Sequence, residues 1–239
     1  MYRQLHRSIG ISSFIFLFIF VITGLAIQHG SWFDLDHRYM PSYLAESLYS
    51  TTVRETTNYR TDNYWVSQAG NSLYIDGQYV ALLELNNLKG AIEDGTYLWI
   101  VGDNKLWILT KQGEIVEELS IFNGLPNLIN KIGRNRDGAL IVGGLNGDWL
   151  VDETAQDWQV YRRGSIVWTT PATDSELPMS MREVILVHAN NHLISWERLL
   201  LDFHSGRLFG NIGVVIADIA ALLLVFLSAT GVFLWLRRA

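Results

Sequence analysis

The chain contains no cysteine. That absence excludes disulfides, iron–sulfur ligation, covalently attached c-type haem and thiol catalysis, and it leaves the redox compartment open. Basic residues do not cluster anywhere beyond the two chain ends, and the net charge is −6, so no nucleic-acid partner is expected. There is no glycine-rich phosphate loop after a strand, no nucleophile elbow and no HExxH. Two long stretches lack charge almost completely. Ile9 to Ile27 carries none, and from Phe209 to Leu236 the only ionisable residue is Asp218.

Each stretch is long enough to cross a hydrocarbon core of roughly 30 Å. With 239 residues and 49% hydrophobic content, the chain has room for both spans and one domain of moderate size. The first run exceeds the roughly 7–15-residue apolar core of a signal peptide, so it reads as a retained anchor. Arg3, Arg7, Arg237 and Arg238 flank the outer ends of the runs. By the positive-inside rule both termini are then cytoplasmic, and the segment between the spans is exported, which in a bacterium means the periplasm.

The expected layout is a cytoplasmic N-terminus over 1–8, a first transmembrane helix over 9–28 and a periplasmic β-rich domain over 29–195. An amphipathic interfacial helix over 196–208, a second transmembrane helix over 209–236 and a cytoplasmic tail over 237–239 complete it. In the interfacial helix Trp196, Leu199, Leu200 and Phe203 recur at helical spacing, and Arg198 can pair with Asp202 one turn on. Two packed spans need small residues at their contact. Gly10, Ser13 and Gly24 fall near one face of the first span, and Ala217, Ala221, Ser228 and Gly231 near one face of the second. Both spans also carry a Thr-Gly step, Thr23-Gly24 and Thr230-Gly231.

The middle of the chain alternates strand-like runs with turn signals at Asp76-Gly77, Asp94-Gly95, Lys111-Gln112-Gly113 and Asp137-Gly138. Residues 93–119 resemble residues 136–161, with Trp107 and Trp149 in register 42 residues apart, and QAGNSLYIDGQYVALLEL is a weaker third copy. That period suits propeller-like blades. Three blades are too few for a closed propeller, so the expectation is an open stack of antiparallel, propeller-blade-like sheets. REVILVHA and HLISWERL read as two strands joined by a turn at Asn190-Asn191, which places His188 and His192 across a hairpin without third and fourth metal ligands. Asp34, Asp36 and His37 look ligand-like but suit a solvated turn.

Three histidines stand at span ends: His6 before the first, His29 just after it and His204 just before the second. His29 and His204 fall on the exported side, whereas His6 lies on the order of 35 Å from His29 along a helix and suits a second site at the cytoplasmic face. Two imidazoles from adjacent helices at one depth are what a b-type haem needs, with no cysteine required. Asp218 is expensive within the membrane and calls for a partner, with Thr23 or a liganding histidine as candidates. The same histidines also read as interfacial side chains that snorkel to the membrane surface.

The pattern LHRSIG, an apolar run ending TGLAIQH, then ERLLLDFHSGRLFG, Asp218 and TGVFLWLRR resembles the PepSY-associated transmembrane helix family, as a small two-span member. The resemblance covers both chain ends. It implies an inner-membrane b-type haem protein passing electrons outward, since the larger four-span relatives include ferric-siderophore reductases. His6, His29 and His204 match the family's motif histidines, and Asp218 its intramembrane acid. With two spans and no recognisable PepSY domain, this chain needs a homodimer or another membrane subunit to enclose a haem. The alternative is a non-redox accessory subunit whose β domain docks a periplasmic protein.

Overall fold

The computed structural model describes residues 2–236 apart from 83, 84, 86, 127, 153, 154, 156 and 163. The expected tail 237–239, with Arg237 and Arg238, lies outside the described residues. The helices are α1 (Tyr2–Gln28), α2 (Gly30–Phe33), α3 (Ser42–Tyr49), α4 (Met179–Asn191), α5 (Trp196–His204) and α6 (Gly210–Leu236). The chain divides into two compact units, Met1–Thr52 with Asn191–Ala239, and Val53–Asn190.

In the first unit α1 packs against both α6 and α5. Segments His6–Gln28 and Arg207–Leu236 are long and apolar enough to cross a membrane, and little of either is buried within the chain. The side chains on these helices therefore face outward in large part, as lipid-facing positions do. Gly213 and Ala220 are the buried positions of α6, one heptad apart, and Leu227 a heptad later meets Gly10 of α1. Of the expected stripe, Gly231 faces His6 of α1, whereas Ala221 and Ser228 stand one step round from 220 and 227 and are exposed. Two turns of helix return a residue to nearly the same face after seven positions, which selects 213, 220 and 227.

The lead-in helix α5 stops at His204, and Arg207–Phe209 form a 3-10 turn before α6 begins. Gly206 has φ +76, and a Cβ placed there would run into the backbone of Gly213. Only glycine permits both the left-handed backbone and this approach of the turn to α6. Backbone pairing of the segment after α2 with the start of α5 fixes the other end. Met40 N donates to Ile194 O at 3.0 Å, and Trp196 N donates to Arg38 O at 2.9 Å.

The second unit holds three antiparallel sheets built from consecutive strands. The first is β1 (Thr57–Arg60), β2 (Trp65–Ala69), β3 (Ser72–Ile75) and β4 (Gln78–Leu82). The second is β5 (Gly90–Glu93), β6 (Leu98–Val101), β7 (Lys105–Leu109) and β8 (Ile115–Ser120). The third runs β9 (Ile129–Asn135), β10 (Leu140–Gly144), β11 (Gly147–Val151) and β12 (Trp158–Tyr161), and β13 (Ile166–Trp168) adds to the free edge of β9. Trp107 and Trp149, aligned in the repeat, lie on β7 and β11, the third strand of their sheets.

The middle sheet is buried on both faces. Leu98, Ile100, Trp107 and Leu109 pack with Val66, Leu73 and Ile75 of the first sheet. Trp99, Val101, Leu106 and Ile108 pack with Ile129, Ile132, Leu140 and Val142 of the third. Alternation along each strand thus feeds two cores, which is why these runs are continuously apolar. The turns obey their residues. Asp76 and Gly77 both have positive φ, as a two-residue hairpin of the primed type requires. Asp94 Oδ1 accepts from Thr96 N at 2.8 Å and Tyr97 N at 2.7 Å, closing the β5–β6 turn on itself.

Residues 179–191 correct the hairpin expectation: they form helix α4, with Asn190 and Asn191 inside it rather than at a turn. The β-branched run Val184-Ile185 and Val187 suggested a strand, but Ile185 and Ala189, four apart, bury one helical face against Ala69 and Tyr74 of the first sheet. Pro178 starts the helix, accepting from Met181 N at 2.9 Å and Arg182 N at 3.0 Å. Tertiary burial of that face overrides the local preference for strand.

Candidate functional site

The site is built around α5, whose register is fixed by three contacts. Ser195 caps it, its Oγ accepting from Arg198 N at 3.1 Å. Arg198 Nε donates to Asp202 Oδ2 at 2.7 Å, the pairing expected one turn apart. Tyr49 Oη of α3 donates to the same oxygen at 3.2 Å. Asp202 is buried, and with these two donors its carboxylate is satisfied. Burial of Tyr49, followed by the Asp202 charge, pushes its phenol up to about 12.

Held this way, the last residue of α5 reaches α1. His204 Nδ1 lies 2.7 Å from Thr23 Oγ1, and its ring packs against Phe20 with centroids 5.4 Å apart. A Cβ on Gly24 would stand 3.6 Å from His204 Cε1. The opposite end of α1 repeats the arrangement with α6. His6 Nδ1 lies 2.8 Å from Thr230 Oγ1, and a Cβ on Gly231 would stand 3.7 Å from His6 Cε1. Each Thr-Gly step therefore receives a histidine from a different helix. The sequence contains both steps and both histidines, but helical periodicity does not connect residues 181 or 224 positions apart. Thr23 and His6 are separated by about 25 Å along α1, so these are two stations, not one.

His29 is placed differently. Its ring is stacked on Trp32, centroids 4.2 Å apart and planes inclined by 28°. It borders an open groove of about 560 Å³ lined by Phe20, Val21, Gly24, Leu25, Gln28 and itself. His204 does not line that groove. Phe20 packs on the His204 ring and Gly24 stands beside its Cε1, and the same two residues line the groove that His29 borders. Among the described residues no contact brings His29 and His204 together.

His6 opens on a cleft of about 470 Å³ between α1 and α6, lined with Gly10, Ser13, Leu224, Ser228 and Gly231 among others. Ser13 Oγ is buried there without a hydrogen-bond partner. Asp218 stands exposed on the outward side of α6, and it has no hydrogen bond or ion pair among the described residues. Thr23, one of its expected partners, is engaged instead by His204 and by Ile19 O at 2.6 Å.

The remaining candidates fall outside these stations. His188 Nδ1 lies 3.0 Å from Tyr74 Oη and its ring stacks on Tyr79, while the His192 ring meets Tyr39 at 4.7 Å. Asp34, Asp36 and His37 are all exposed, with ligand atoms within 4.8 Å of one another. His37 Nδ1 lies 3.0 Å from Asp36 and 3.1 Å from Asp34. The Asp36 charge and hydrogen bond, then the Asp34 charge, raise the His37 pKa above its ordinary 6.5. Asp36→Asn is expected to bring it back toward 6.5, with the midpoint followed by proton NMR of the ring; an unchanged midpoint would remove Asp36 as the cause. The ring is fully solvated, so both pairs are screened surface pairs.

The donor chemistry of the two stations is that of imidazoles without thiolates, which suits a b-type haem, and the glycines leave the outer edge of each ring uncovered. One chain seats a single imidazole at each station. Residues 1–238 match the family described as PepSY-associated TM region. No curated protein matches the chain.

Proposed function

The chain belongs to the PepSY-associated transmembrane family, and from that premise we propose that it is a bacterial inner-membrane b-type haem protein that relays electrons toward the periplasm, similar to membrane ferric-siderophore reductases. Its membrane association follows from the family and from the two apolar helices. In the proposed arrangement both termini are cytoplasmic, the β unit is periplasmic, and its three sheets act as an open stack of propeller-like blades. The observation that carries the reading is the pair of seated histidines. His204 and His6 are each held by a threonine at one end of α1, where an imidazole could serve as a ligand to a haem.

When bound, haem supplies a one-electron couple between ferric and ferrous iron. The chain's own part is to orient the two imidazoles and, through the apolar flanks of α1 and α6, to keep water from them. The missing ligand at each station is supplied by a second subunit, in a homodimer or with another membrane protein. Asp218 supports this assembly. An intramembrane carboxylate faces protein or a water-filled cavity in almost every case, and here it faces outward from the single chain.

Protein purified from haem-replete cells is expected to show a Soret band, a b-type pyridine haemochrome and a dithionite-reduced spectrum. Absence of all three sinks the proposal. A second reading is a non-redox accessory subunit, with the exposed Ile115, Val116, Ile121 and Phe122 of β8 and its turn as apolar contacts to a periplasmic protein. That reading requires the purified protein to be colourless.

A further inference from the structure

We infer that Thr23 and Thr230 are positioning residues that fix the ring proton of His204 and His6 on Nδ1, leaving Nε2 as the unprotonated, ligand-ready nitrogen of each ring. The inference deepens the haem reading and rests on it for its purpose, but not for its chemistry.

The chemistry is a count of protons. A threonine hydroxyl has one proton to give and two lone pairs to receive. Thr23 Oγ1 stands 2.6 Å from Ile19 O, and a carbonyl oxygen can only accept, so the hydroxyl proton is committed to that bond. The contact between Thr23 Oγ1 and His204 Nδ1 at 2.7 Å must then run the other way, with Nδ1–H donating. Were the hydroxyl to donate to Nδ1 instead, lone pairs of Thr23 Oγ1 and Ile19 O would face each other at bonding distance. In a neutral imidazole a proton on Nδ1 leaves the lone pair on Nε2.

The same count holds at the other end of the helix pair. Thr230 Oγ1 donates to Phe226 O at 2.8 Å, with Leu227 O at 3.1 Å, and so accepts from His6 Nδ1 at 2.8 Å. Among the described residues neither Nε2 has a hydrogen-bond partner of its own. Cε1, which lies between the two ring nitrogens, faces the glycine that follows each threonine. A Cβ there would make only ordinary contact with the ring. The Thr-Gly step thus has two parts: the hydroxyl sets the tautomer, and the glycine lets the ring lie close against the helix. His29, stacked on Trp32, has neither device. A donor hydrogen bond from the back nitrogen is also how ligating histidines are generally oriented.

The test uses the full-length protein in detergent, prepared without haem and labelled with nitrogen-15 at histidine. Long-range proton–nitrogen spectra separate the two tautomers, and His204→Ala and His6→Ala assign the signals by their loss. The wild type is expected to show both rings protonated on Nδ1. Thr23→Val should move His204 to a mixture containing Nε2–H while leaving His6 unchanged, Thr230→Val should do the converse, and Thr23→Ser should restore the wild-type pattern. Rings found on Nε2–H in the wild type overturn the inference, as does a Thr23→Val spectrum identical to it. If Thr23→Val does not fold, the wild type and Thr23→Ser decide the matter alone. Haem addition then tests the other reading separately. An Nδ1–H pattern in a protein that never takes up haem leaves the tautomer assignment standing and defeats the haem proposal.

Discussion

Replacing Trp99 with alanine is expected to destabilise the β unit by about 3–5 kcal/mol, the usual cost of emptying a buried indole site. Trp99 is fully buried between the second and third sheets, and its Nε1 donates to Asp94 Oδ2 at 2.6 Å. The same carboxylate closes the β5–β6 turn, so the indole links the core to the turn that sets strand register. Domains are stable by only about 5–15 kcal/mol in total, and a loss of this size raises the opened population by more than two orders of magnitude. Trp99→Phe, which keeps most of the ring and loses the hydrogen bond, should cost roughly 1–2 kcal/mol. Pulse proteolysis of the full chain in detergent across a urea series separates the variants. Equal cleavage midpoints for wild type and Trp99→Ala would show that this interface does not hold the sheets together.

That core was legible in the sequence because sheet strands buried on both faces read as continuous apolar runs. Leu98–Val101 and Lys105–Leu109 are such runs, and the Asp-Gly signals at 76, 94 and 137 all fall on hairpin turns. The two spans were legible for the same reason, length without charge. Helix α4 was not, since Val184, Ile185 and Val187 favour a strand locally and the deciding term is the contact of Ile185 and Ala189 with the first sheet. The clue that stood in the sequence was Pro178 one residue before the helix.

At the candidate site the residue types were legible and their pairing was not. The sequence suggests His29 and His204 as partners because both lie at the exported end of a span. Which way a residue points depends on the phase of its helix, and His29 follows the last residue of α1, so the period of that helix does not place its ring. The Thr-Gly steps read as packing motifs, since small residues at helix contacts are common. His204 reaches Thr23 because α5 is held by Ser195, the Arg198–Asp202 pair and Tyr49, and because the turn at Gly206 sets the chain close against Gly213 of α6.

Removing His204 or His6 is expected to have the largest effect on the proposed cofactor, and the two removals should act independently. Each imidazole would bind iron at about 2 Å, and the stations are about 25 Å apart along α1, too far to share a ligand. His204→Ala should therefore turn one haem from low spin to high spin and weaken its retention, leaving the other unchanged. His6→Ala should do the same to the second haem, and the double variant should be colourless. Added imidazole should restore the low-spin spectrum of each single variant, which a misfolded protein would not allow. His29→Ala decides where the missing ligand of the His204 station comes from. If it copies His204→Ala, His29 of this chain or of a second copy completes the station; if the spectrum is untouched, the other ligand is a histidine elsewhere in the assembly. His188→Ala should be spectrally silent, because its ring belongs to the Tyr74–Tyr79 cluster of the β unit. Asp218→Asn should keep the haem and shift its potential, since a charge is lost and no ligand is. Full haem content in the His6, His204 double variant would end the assignment of these two residues.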